Sequence, residues 1–179
     1  MGAYRTILGL ILLAAPVLTT AQQVIESVAA KIDDATVITY SDILQEAALL
    51  NLENGAPLHT PLSRELKERI LDSLILRAIL FFASRDRDLP LDDRMVQEMV
   101  ATYEKLPYLA DLFKSFGISP LEFRMIVKKR LIVRSMMDDL LKRRFPPPAK
   151  PTEEEKKKAL DEWFDSLRKK HRIITYSLP

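Results

Sequence analysis

The sequence predicts a mainly helical module of five to six helices with a small antiparallel three-stranded sheet, and three observations carry that expectation. Val24 to Thr39 reads as strand, turn, strand, a two-stranded ribbon that is marginal in water without a cover and a further strand. The long middle of the chain carries apolar stripes at helical spacing, punctuated by capping residues, glycine and proline. At the far end, Arg172 to Tyr176 has strand composition and is the expected third strand.

The elements follow in order. In the first strand, Val28, Ala30 and Ile32 alternate with Ser27, Ala29 and Lys31, the pattern of a half-buried strand. Asp33-Asp34-Ala35 supplies turn chemistry and Thr36 to Thr39 is β-branched throughout. Thr39 with Asp42 three residues on, or equally Ser41, can cap a first helix whose stripe is Ile43, Ala47 and Leu50 and whose terminator is Asn54-Gly55. Thr60 and Pro61 are expected to cap and start the second helix, from Leu62 to about Arg87. Its apolar face, from Leu66 through Leu74 and Ile79 to Phe82, is too broad for one neighbour, which places it at the centre of the bundle. Asp88 to Leu91 ends it, and Asp92 caps a short third helix carrying Met95, Val96, Met99 and Val100.

Pro107 breaks the pattern, and Tyr108 to Phe116 forms a fourth helix terminated by Gly117. Ser119-Pro120-Leu121-Glu122 combines a capping serine, proline at the first helical position and a glutamate that completes a capping box. The fifth helix runs from there to about Arg144, roughly 39 Å at ~1.5 Å per residue. Residues 145–151, FPPPAKP, read as a stiff, extended connector. Thr152 with Glu155 forms a second capping box, and residues 152–179 hold a C-terminal helix and the last strand.

Composition narrows the function classes. Twenty-seven basic residues nearly cancel twenty-five acidic ones, so no whole-protein field points to nucleic acid. With no cysteine there is no disulfide framework and no thiol chemistry. Beyond residue 21 only Gly55 and Gly117 remain, too few for a phosphate-cradling loop. At the N-terminus, Arg5, the apolar run Ile7 to Ala15 and the small residues Thr19-Thr20-Ala21 have the layout of an export signal cleaved after Ala21. That run is too short for a spanning helix. Residues 22–179 are then expected to form a single domain.

The element order resembles the N-terminal domain of the SurA-type periplasmic chaperones. Val28-Ala29-Ala30-Lys31-Ile32, Asp33-Asp34, Val37-Ile38-Thr39 and Ser41-Asp42 match that family's opening strand, turn, second strand and helix start. Leu66 to Ala83 is similar to its long second helix, Leu91-Asp92-Asp93 to its short-helix start, and Ser119-Pro120-Leu121-Glu122-Phe123 with Arg130-Leu131-Ile132 to its fifth helix. The resemblance implies a C-terminal helix and strand folded back on the N-terminal module, a periplasmic location, and clients that are unfolded or outer-membrane polypeptides, bound without nucleotide or other cofactor. It departs from the family where the parvulin isomerase domain would sit, because the proline connector fills that place. Prolyl isomerase activity is therefore not expected. An exported assembly or adaptor protein with one folded partner, and a degenerate isomerase, are the alternatives.

Residue chemistry gives little support to an enzyme. His59 and His171 are the only histidines, and a metal site would need the fold to bring them together with carboxylates. Asp33-Asp34, Asp92-Asp93 and Asp138-Asp139 read as turn, cap and solvated face, since sequence neighbours on a helix point apart. The basic run of the fifth helix, Arg124, Lys128, Lys129, Arg130, Arg134 and Lys142 to Arg144, reads as a solvated face, with contact to acidic client segments or anionic lipid as the alternative. Met95, Met99, Tyr103, Tyr108, Phe113 and Phe116 are the peptide-binding candidates. They lie on two short helices around Pro107 and are either core or an adaptable apolar surface. A detachable C-terminal helix and strand also suits a domain-swapped homodimer.

Overall fold

The computed structural model describes residues 27–85 and 92–179; the expected export signal and the expected end of the second helix, Asp88 to Leu91, lie outside the described residues. Among those residues the chain forms β1 (Val28–Ile32), β2 (Thr36–Thr39), α1 (Tyr40–Glu53), α2 (Arg64–Arg85), α3 (Asp93–Tyr103), α4 (Leu109–Phe116), α5 (Pro120–Arg144), α6 (Glu153–Arg168) and β3 (Ile173–Thr175). The expected class, mainly helical with a small antiparallel three-stranded sheet, is the observed one.

The sheet has the order β2-β1-β3, with both neighbours antiparallel to β1. The N-terminal strand therefore lies in the middle, and the C-terminal strand pairs within its own chain. Strict alternation fails at one point. Ala29 and Ala30 are both buried, while Val28 is 40% exposed. The register between β1 and β2 shifts between Val28 and Ala30, and a bulge of this kind turns the side chains before it to the other face. Beyond it the pattern is regular: Ala30 and Ile32 point inward, and the row Val37–Lys31–Ile174 faces out.

The hairpin turn also grips the C-terminal segment. Asp33 adopts a left-handed φ of 49°, which aspartate tolerates better than most side chains. Its backbone N–H donates to the Arg172 carbonyl at 2.8 Å, and its carboxylate accepts from the Arg172 N–H at 2.8 Å and meets His171 Nδ1 at 2.8 Å. Arg172 also reaches Asp34. These bonds to Asp33 hold its carboxyl below its ordinary range, the His171 contact contributing most. Ile173 and Leu178 pack on the core beyond, and the Tyr176 N–H donates to the Ala29 carbonyl.

Two cores share α1 and α5. Ile43 and Ala47 of α1, with Ile132 and Met136 of α5, join the sheet, α2 and Leu167 of α6 in the first core. Ala48, Leu49 and Leu52, with Phe123, Val127 and Leu131, join α3 and α4 in the second. As expected, α2 is central; it meets α1, α5, α6 and both strands of the hairpin, and Ile70, Ile75, Ile79 and Leu80 are almost wholly buried.

Caps fix the ends. Thr39 forms a full capping box with Asp42, as do Ser119 with Glu122 and Thr152 with Glu155. The start of α2 differs from expectation: Thr60 Oγ1 donates to the Pro57 carbonyl, and the Ser63 hydroxyl accepts the Leu66 N–H. The helix thus begins at Arg64, because Ser63 offers an oxygen one turn later. The connector differs as well. The Ala149 N–H donates to the Pro146 carbonyl at 3.0 Å, which closes a turn where an extended spacer was expected. Of the described helices, none is long and apolar enough to cross a membrane.

Candidate functional site

Three charged residues stand one position away from apolar core residues on three helices, and the fold brings them together. Glu46 precedes Ala47 on α1, Arg77 precedes Ala78 on α2, and Arg130 precedes Leu131 on α5. Arg77 donates to both Glu46 oxygens, from Nη1 at 2.7 Å and Nη2 at 2.6 Å, and Arg130 Nη2 donates to Glu46 Oε1 at 2.5 Å. Arg130 Nη1 also meets Glu53, which accepts the Tyr103 hydroxyl as well. The network is well shielded: side-chain exposure is 7% for Glu46 and 18% for each arginine.

Burial is the largest influence on Glu46 and would raise its pKa, yet Arg77 and Arg130 together hold it below its ordinary value of 4.5. Burial likewise opposes the charge on Arg130, and Glu46 and Glu53 outweigh it, so its pKa moves up. The Tyr103 phenol is raised, first by burial and then by its bond to Glu53. The result is a fixed ion cluster. Both Glu46 oxygens are committed to guanidinium donors, and neither is poised to take a proton from a substrate.

The cluster divides the space between α2 and α5, which run in opposite directions. On one side, the second half of α2 and the first half of α5 line a cleft of about 460 Å³. Leu74, Ala78, Phe81 and Phe82 form one wall, Phe123 and Ile126 the other, and Ile38 and Leu49 come from β2 and α1. Val37, 51% exposed, stands at its edge with Asp42 and Gln45. Lys129 lies over the Phe81 ring, 5.3 Å from its centroid. The lining is therefore apolar, its rim polar and its floor ionic, the composition of a site that takes apolar chain segments and orients them weakly. On the other side of the cluster, the first half of α2 and the remainder of α5 line a second groove.

The six peptide-binding candidates fall elsewhere. Tyr103 is 8% exposed and is tied into the ion network. Phe113 stands edge-on to Phe123 at 5.1 Å, and Met99, Phe113 and Phe116 pack half-buried against the second core. Only Met95 and Tyr108 of the six are largely exposed, at 51% and 55%; Tyr108 lines a shallow hollow with Leu58 and His59. Four of the six thus serve the interior. The cleft residues that sequence reasoning missed were visible to it as excess width of the apolar face of α2, a face that α1 and α6 only partly cover.

The histidines are engaged separately, His59 with Ser115 and Phe116, His171 with Asp33. Among the described residues no group of three or more His, Asp or Glu side chains could hold a metal. The basic run of α5 is largely paired: Arg124 and Lys128 approach Asp93 at 3.8 and 4.0 Å, Arg143 meets Asp139 and Arg144 meets Glu162. No protein-family model matches the chain, and a search of curated proteins finds no match either.

Proposed function

We propose that this protein is a chaperone-like polypeptide binder that holds apolar segments of unfolded chains without nucleotide, and that the cleft between α2 and α5 is where it does so. The observation that carries the reading is the cleft's composition: about 460 Å³ walled by leucine, isoleucine, alanine and phenylalanine, with Asp42, Gln45 and Lys129 around it. An apolar trough with a sparse polar rim favours contact with many sequences over recognition of one. The rigid ion cluster beneath it supplies a fixed floor, since breaking it would strand buried charge.

The resemblance of the element order to SurA-type chaperones supports a periplasmic setting and outer-membrane polypeptides as clients. Light scattering tests the function. Purified protein is mixed in several-fold excess with an outer-membrane protein diluted from urea, and suppression of aggregation without ATP is the expected result. Unchanged scattering across a range of excess would reject the proposal.

A further inference from the structure

The second groove, about 820 Å³, differs in chemistry from the apolar cleft. Its α2 wall is Leu66, Arg69, Ile70, Ser73, Leu76 and Arg77, and its α5 wall repeats the spacing from Arg130 through Val133, Arg134 and Met137 to Leu141. Steps of three and four place each set on one helix face. From Leu66 to Arg77 the wall is about 16 Å long, or about three helical turns. Leu50 of α1 and Phe164 of α6 also line the furrow, and α6 itself packs on α2 and α5. The stretch they leave open between two helices with matched ridges is a seat for a further helix.

The charge in this groove has a sign. Four arginines line it against Glu46 and Asp138. Glu46 is occupied by Arg77 and Arg130 in the floor. Arg69 and Arg134 remain, exposed on opposite walls, and among the described residues neither has an ion-pair partner. Two outward guanidinium groups flanking an apolar furrow complement a guest with an apolar stripe and carboxylates on both sides of it. We propose that this groove docks an acidic amphipathic helix of a partner protein, with the half-buried Leu66, Leu76, Val133 and Met137 against its apolar stripe and Arg69 and Arg134 against its flanking carboxylates. The site lies across the ion cluster from the apolar cleft and stands independently of the chaperone reading.

The test uses the full chain and two synthetic fluorescent helices of about 12 residues, with leucine at positions separated by three and four. One carries glutamate on both flanks and the other lysine. Fluorescence anisotropy is expected to show saturable binding of the glutamate helix, at least ~10-fold tighter than the lysine helix and weakened by added salt. Arg69→Glu with Arg134→Glu should reverse that preference, while circular dichroism and melting show the fold retained, both side chains being exposed. Equal affinity for the two helices, or indifference to the charge reversal, overturns the proposal. So does binding to phosphatidylglycerol vesicles with none to the glutamate helix. A dimer abolished by Arg134→Glu and undisturbed by the glutamate helix would give the groove to a second copy of this chain, and would also overturn it.

Discussion

Replacing Glu46 by alanine should be the most damaging single change in the ion cluster. Arg77 donates twice to Glu46 and Arg130 once, and both guanidinium-bearing side chains are only 18% exposed. Arg130 would keep Glu53 and Tyr103, so most of the penalty falls on Arg77, stranded without its carboxylate. Removing one member of a buried ion pair costs about 3–5 kcal/mol, a large part of the ~5–15 kcal/mol that holds a domain together. At ~2–4 °C per kcal/mol for a chain of this size, the melting temperature should fall by about 10 °C. Urea unfolding followed by circular dichroism measures the loss directly. The double variant Glu46→Leu with Arg77→Met removes both charges and should recover most of it, because a buried pair is worth little more than apolar residues of similar size. A loss under about 1 kcal/mol for Glu46→Ala, or a double variant no better than the single one, would refute the view that the cost is stranded charge.

Two further predictions concern the clasp. Deleting Ile173 to Pro179 removes β3, the Tyr176–Ala29 bond and the packing of Ile173 and Leu178 on the first core; thermal melting should show a loss of about 3 kcal/mol, and a truncated chain that melts like the intact one would contradict the clasp. Asp33→Asn tests its electrostatics: the folded carboxyl lies below its ordinary value of 3.8, so its stabilising contribution is complete above about that pH and is lost as pH falls through the lowered folded value. The stability gap between wild type and Asp33→Asn should thus close below pH 3.8, and a gap that instead widens on acidification would exclude the linkage.

The fold was largely legible because local signals agreed with one another. Thr39, Ser119 and Thr152 each sit three residues before an acid, and all three form the capping boxes that spacing demands. The third strand could be found at the opposite end of the chain because an open ribbon requires one. What escaped was information held between elements. The bulge at Ala29 depends on pairing with β2, and no alternation pattern within β1 reveals it. Ser63 displaced Thr60 as the cap of α2 through a choice between two nearby hydroxyls, on which composition is silent.

The site was less legible than the fold. Aromatic and methionine residues around Pro107 satisfied a compositional criterion for an adaptable surface, yet Tyr103 and Phe113 are satisfied by the second core. Glu46, Arg77 and Arg130 are charged residues on their own helices, and charge alone reads as solvent-facing. Only the crossing of three helices makes them a buried cluster with a cleft on either side. A charge set inside an apolar stripe, as Glu46 is between Ile43 and Ala47, was the available signal.

The central claim, that apolar polypeptide segments bind in the cleft between α2 and α5, can be tested by blocking its edge. The chain has no cysteine, so Val37→Cys and Met95→Cys can each be labelled at a single site with a bulky maleimide. Both positions are 51% exposed; Val37 lines the cleft, whereas Met95 belongs to the surface of α3. Aggregation suppression of an unfolded outer-membrane protein should be lost with the label at position 37 and retained with the label at position 95. Full suppression with position 37 blocked, or its loss only with position 95 blocked, would contradict the account and return the binding surface to the helices around Pro107.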